Sequence, residues 1–104
     1  MRLLWTAAAF AFLAGPVAAG EHKVGMIGMQ YAPQQIAAKV GDTLVFDNDD
    51  TENHMVFSPS FGHGFDLGAQ KPGEMRKLEV KKEGTFDVEC VFHPEMVTKV
   101  TVSK

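Results

Sequence analysis

Thr85-Phe86-Asp87-Val88-Glu89-Cys90-Val91-Phe92-His93-Pro94-Glu95-Met96 carries the pattern that decides the fold. From Thr85 to Cys90 apolar and polar residues alternate with period two, which predicts a strand with one face in a core. Phe86, Val88 and Cys90 fall on the inner face, Asp87 and Glu89 on the outer one. The cysteine thus arrives inside, at the end of a core strand. His93 follows three residues later, and Met96 three residues after that. A spacing of three in a tight connection lets all three side chains turn toward one point. Pro94 fixes φ directly after the histidine and lowers the entropy of that turn. A lone buried cysteine is ordinarily a small apolar residue, but that reading leaves the regular spacing unexplained.

The chain on either side reads the same way. Val24 to Gln30 alternates loosely as a first strand, Tyr31-Ala32-Pro33 interrupts it, and Gln35 to Val40 resumes as a short edge strand. Gly41-Asp42 is a turn signal. Thr43-Leu44-Val45-Phe46 is β-branched and aromatic, a strand with Leu44 and Phe46 inward. Asp47 to Asn53 holds four acids in seven residues and reads as a solvated loop. His54 to Phe57, Phe65 to Leu67, Lys77 to Val80 and Val97 to Val102 are further strands, separated by Gly- and Pro-containing turns. No stretch past the N-terminus keeps a helical period, and there is no internal repeat. Seven or so short strands predict an all-β fold, an antiparallel Greek-key β-sandwich.

The 104 residues leave room for one domain. Arg2, an apolar run from Leu3 to Ala14, the Gly15-Pro16 break and the small residues Val17-Ala18-Ala19 have the layout of a secretory signal peptide. The apolar run is shorter than the roughly 20 residues a membrane span needs. The expected organisation is a leader over residues 1–20, cleaved after Ala19 or Gly20, and a domain over 21–104. Removing Arg2 leaves nine basic against thirteen acidic residues, a net charge of −4 with histidine neutral. That balance and the lack of a basic block exclude a nucleic-acid binder. So small an exported domain often needs a disulfide or a metal as a staple. One cysteine cannot form an internal disulfide.

One thiolate, two imidazoles and a weak axial thioether make a blue-copper site. Cys90, His93 and Met96 supply three of these donors, so a second histidine is needed on another strand. His54, in Asn53-His54-Met55-Val56-Phe57, is the best placed. Cys90 is expected to bind as the thiolate, because a metal deprotonates a coordinating thiol outright. Zinc would accept the same cysteine and histidine donors.

These residues resemble the cupredoxin (blue copper) family. The short Cys-x2-His-x2-Met loop with Pro94 is most similar to the amicyanin branch, since the plastocyanin type has a longer gap before the methionine. Lys39 to Asn48 is similar to the family's turn and strand ahead of the first histidine ligand. Two departures stand out. Val91-Phe92 fill a gap where such loops often carry proline, and Asn53 replaces the usual proline before the first histidine. The resemblance implies one copper per chain, held by His54, Cys90, His93 and Met96, and cycling between Cu(I) and Cu(II) by outer-sphere electron transfer. It implies that Asn48 ties the two ligand loops together. It implies a periplasmic location, a c-type cytochrome as acceptor and an amine dehydrogenase or other oxidoreductase as donor. Four protein donors leave no open position for a substrate, so an enzyme is not expected.

Phe92 and Pro94 are candidate docking residues around His93, and Glu95 adds a carboxylate there. His63, in a Gly-flanked loop, reads as a surface histidine or a further metal contact. Cleavage just before Glu21 would make His22 the second residue, where the free amine would help it bind adventitious Cu(II). Met26, Met29, Met55 and Met75 read as core filling. A surface that shuttles Cu(I) through such methionines is the alternative, and it corresponds to a periplasmic copper chaperone or storage protein on the same fold.

Overall fold

The computed structural model describes residues 19–104, so nearly all of the expected leader lies outside the described residues. Nine strands follow in order: β1 (Glu21–Ile27), β2 (Gln30–Ala32), β3 (Gln35–Lys39), β4 (Thr43–Asn48), β5 (His54–Ser58), β6 (Phe65–Gln70), β7 (Met75–Glu79), β8 (Gly84–Cys90) and β9 (His93–Ser103). There is no helix among the described residues. One sheet has the order β2-β1-β4-β7 and the other β3-β9-β8-β5-β6. The inner faces meet over Val24, Met26, Leu44, Phe46, Val56, Val88 and Val100, all fully buried. The fold is the expected sandwich.

Five of the seven strand pairings are antiparallel. β1 with β4 and β3 with β9 run parallel, so each sheet is mixed rather than wholly antiparallel. The chain causes this by crossing from the first sheet to the second between β2 and β3 and then returning. β4 therefore lies beside β1 in the same direction.

The first strand begins and ends three residues earlier than its alternation suggests, at Glu21 and Ile27. Gly28 and Met29 both take positive φ (62° and 59°) and turn the chain back into β2, the backbone pattern of a two-residue hairpin turn. Tyr31, expected in an interruption, lies inside β2 and is 1% exposed. Its hydroxyl lies 3.0 Å from the Met55 carbonyl and 3.1 Å from that of Glu89, sharing one proton between β5 and β8. Burial raises the pKa of this phenol far above the ordinary tyrosine value, with the Cys90 and Glu89 charges adding to the shift. Core filling accounts for Met26 but not for Met29 and Met75, which are 42% and 54% exposed.

Candidate metal centre

Strand β8 ends as its period predicts, with Phe86, Val88 and Cys90 buried. Val91-Phe92 then form a two-residue turn that sets Cys90 opposite His93. The register shifts there, from Glu89 opposite Val97 to Cys90 opposite His93. This bulge takes residues 94–96 out of the ladder and re-aims the side chains around it. β5 runs beside β8 and begins at His54, so the distant histidine is delivered next to the cysteine by sheet order alone.

The three donors converge. Cys90 Sγ lies 3.9 Å from His54 Nδ1 and 3.8 Å from His93 Nδ1. All three donor atoms lie within 4.8 Å of one another. The two imidazole rings meet edge to face at 5.0 Å. With metal–sulfur bonds of about 2.3 Å and metal–nitrogen bonds of about 2.0–2.1 Å, a trigonal arrangement sets sulfur and nitrogen about 3.8 Å apart. The spacing fits a three-donor plane of one sulfur and two nitrogens. Met96 is fully buried, on the inner face that β9 continues with Thr98, Val100 and Val102.

Each donor is held by a second contact. The Met55 amide donates to Cys90 Sγ at 3.3 Å. Asp50 Oδ2 lies 2.9 Å from His54 Nε2 and also accepts from the Met29 amide at 2.9 Å. The Asp50 carboxyl is lowered from 3.8 to about 2, first by the Met29 N–H, then by His54 and the Thr51 N–H. An ionised carboxylate only accepts hydrogen bonds, so His54 Nε2 carries the proton and Nδ1 keeps its lone pair toward the sulfur. On the other ring, Glu52 Oε1 lies 3.6 Å from His93 Nε2. His54 is sealed, while the His93 side chain is 17% exposed. Phe92, Pro94 and Glu95 are exposed beside it.

Asn48 acts more locally than the resemblance implies. Its amide nitrogen donates to the carbonyls of Glu52 and Gln70, and its Oδ1 accepts from the Asp50 amide. It shapes the loop that carries Asp50 and Glu52 and binds that loop to β6. The link to the cysteine strand comes instead from Met55 and Tyr31. Gln70 was not anticipated. It is fully buried, and its side chain donates to Phe46 and Glu74 carbonyls on two neighbouring segments.

His63 lies apart from the three donors. Its ring stacks on Phe86 at 5.2 Å, beside Gly84 at the start of β8. Cys90 ends that strand six residues away, roughly 20 Å at about 3.3 Å per residue. His22 also lies apart, with Nε2 2.8 Å from Asp42 Oδ2.

The comparisons with known proteins agree with this geometry. The family model described as Cupredoxin-like domain matches residues 2–102. The chain belongs to the cupredoxins. Among its relatives, amicyanin from Paracoccus denitrificans is 34% identical, across 88% of this chain and 72% of that protein. A variant of amicyanin solved in its reduced Cu(I) form superposes with a TM-score of 0.73 at 27% identity, covering 90% of each chain. A purple cupredoxin from Nitrosopumilus maritimus gives a TM-score of 0.70 at 26% identity, covering 78% of this chain and 98% of that one. In this cupredoxin the cysteine and two histidines converge where β5 begins, β8 ends and β9 begins, and the buried Met96 follows His93 on β9.

Proposed function

We propose that the chain is a periplasmic type 1 copper electron carrier, holding one copper through His54, Cys90, His93 and Met96. The observation that carries this reading is the trigonal spacing of Cys90 Sγ and the two Nδ1 atoms, 3.8 and 3.9 Å, inside a packed sandwich. Copper bound there would supply one-electron exchange between Cu(I) and Cu(II). The protein's part is to keep the donors still. Strands β5, β8 and β9 fix their backbones, the Met55 N–H holds the sulfur, and Asp50 holds the His54 ring. Little rearrangement is then needed when the charge changes. His93 is the most exposed of the three donors, which makes its edge the route for the electron. Exposed Phe92, Pro94 and Glu95 form the docking face around it. The partners are redox proteins, with a c-type cytochrome and an amine dehydrogenase the pair that the amicyanin likeness suggests. The N-terminal leader, cleaved after Ala19 or Gly20, directs export.

A chaperone or storage role is the second reading, and the exposed thioethers of Met29 and Met75 favour it. The visible spectrum after addition of Cu(II) separates the two. An electron carrier develops a strong thiolate-to-copper band that vanishes in Cys90→Ser. A protein that stays colourless yet binds Cu(I) tightly is a chaperone.

A further inference from the structure

A second group of donors sits at the other end of the sandwich, where β1 begins. The Gly20 nitrogen donates to Asp42 Oδ1 at 2.9 Å, and the Thr43 amide donates to the Gly20 carbonyl at 2.9 Å. Gly20 is thus held by both of its backbone groups. His22 Nε2 lies 2.8 Å from Asp42 Oδ2, which also accepts from the Lys39 amide at 2.9 Å. Asp42 accepts the Gly20 and Lys39 amides on its two oxygens and so acts as the acceptor toward His22, which puts the His22 proton on Nε2 and the lone pair on Nδ1. Glu21 is tied by its carboxylate to Lys77 at 3.5 Å, away from this cluster. The parallel ladder runs from Glu21–Thr43 at this end to Met26–Asn48 near the thiolate centre. The two groups of donors are separate.

We propose that processing cuts between Ala19 and Gly20, and that the released Gly20-Glu21-His22 end is a second metal site for square-planar Cu(II) or Ni(II). The donors are the Gly20 amine, the amide nitrogens of Glu21 and His22, and His22 Nδ1. Four nitrogens in one plane are the tetragonal set that divalent copper and nickel prefer. Only a histidine in third place closes that ring system. Cleavage one residue later would put His22 second and destroy it. Binding displaces one proton from the ammonium and one from each of the two amides, and Nδ1 is the open ring nitrogen because Nε2 faces Asp42. Asp42 stays on Nε2 and orients the ring. The Gly20 carbonyl remains available to Thr43, although the chelate competes with the first rungs of the β1–β4 ladder. Nothing here depends on the thiolate centre being an electron carrier.

Two measurements test this. The intact mass of the exported chain should show Gly20 as its first residue, and a chain beginning at Glu21 overturns the proposal. A chain made to start at Gly20 with Cys90→Ser, titrated with Ni(II) alone, should bind one ion per chain with a square-planar visible band. That binding should be lost in His22→Ala. It should also be lost when one extra residue precedes Gly20, a change that keeps every side chain and does not rely on His22→Ala folding. No Ni(II) binding, or binding that survives either change, overturns the site and leaves Asp42 and His22 as a clamp on the N-terminus. With Cys90 intact and Cu(II) added, the thiolate-to-copper band should be unchanged by the extra residue, and a changed band would overturn the separateness of the two sites.

Discussion

Asp50 and His54 are joined side chain to side chain at 2.9 Å, four residues apart, and the same Asp50 oxygen is held by the Met29 amide. Met29 reaches this position with φ 59°, a conformation few residues other than glycine adopt. A strained turn in one sheet therefore fixes the acid that orients a ligand in the other.

Asp50→Ala should weaken metal binding by about 10–100-fold, the usual effect of losing a partner of a ligating histidine. Asp50→Asn retains an accepting oxygen and should restore most of the affinity. Both changes remove a negative charge near the metal, so both should raise the reduction potential. Competition titration and voltammetry provide the two readings. An Asp50→Ala protein with unchanged affinity would mean that packing alone orients His54.

Tyr31→Phe removes the hydroxyl shared by the Met55 and Glu89 carbonyls. Losing a buried hydrogen-bond partner costs about 1–3 kcal/mol, and thermal or urea unfolding should show a loss of that size. The effect should extend to the site, because Met55 and Glu89 flank the strand ends that present His54 and Cys90. A broadened visible band in the copper-loaded variant is the expected sign.

The strand from Thr85 to Cys90 is legible in the sequence because burial on one face enforces period two there. The ligand loop is legible because three metal-binding side chain types recur at a fixed spacing. Tyr31 and Asp50 are not legible in that way. Tyr31 stands just before Pro33 in what reads as a break, and its partners lie 24 and 58 residues away. Asp50 sits in an acid-rich run whose composition matches any solvated loop, and only the β1–β2 turn brings Met29 to it. The parallel pairings are hidden for a related reason. Alternation says which face of a strand is buried, not which distant strand lies beside it.

Asp42 makes the acid limb of stability a test of the N-terminal contacts. Its carboxyl is lowered from 3.8 to about 2, first by the Gly20 N–H, then by His22 and the Lys39 N–H. The folded chain thus takes up this proton less readily than the unfolded chain. The contribution to stability is full above 3.8 and is lost as pH falls through about 2. Asp42→Asn should therefore make unfolding free energy depend less steeply on pH across that window. The slope should not vanish, because Asp50 is lowered to about 2 as well. Urea titrations at stepped pH measure it, and a slope equal to that of the unaltered protein would contradict the assignment.

Gly84 and His63 test the far end of β8. Gly84 takes φ +137°, and a Cβ there would stand 2.5 Å from His63 Nε2. Gly84→Ala should lose about 1–3 kcal/mol from backbone strain and more from displacing the imidazole from Phe86. Adding His63→Ala clears the clash but leaves the backbone strained, so the double variant should recover only part of the loss. Full recovery would assign the whole cost to the ring, and no recovery would assign it to the backbone. His63→Ala alone should leave the copper-loaded spectrum unchanged, because its ring sits a strand length from Cys90. A changed spectrum would bring His63 back to the metal.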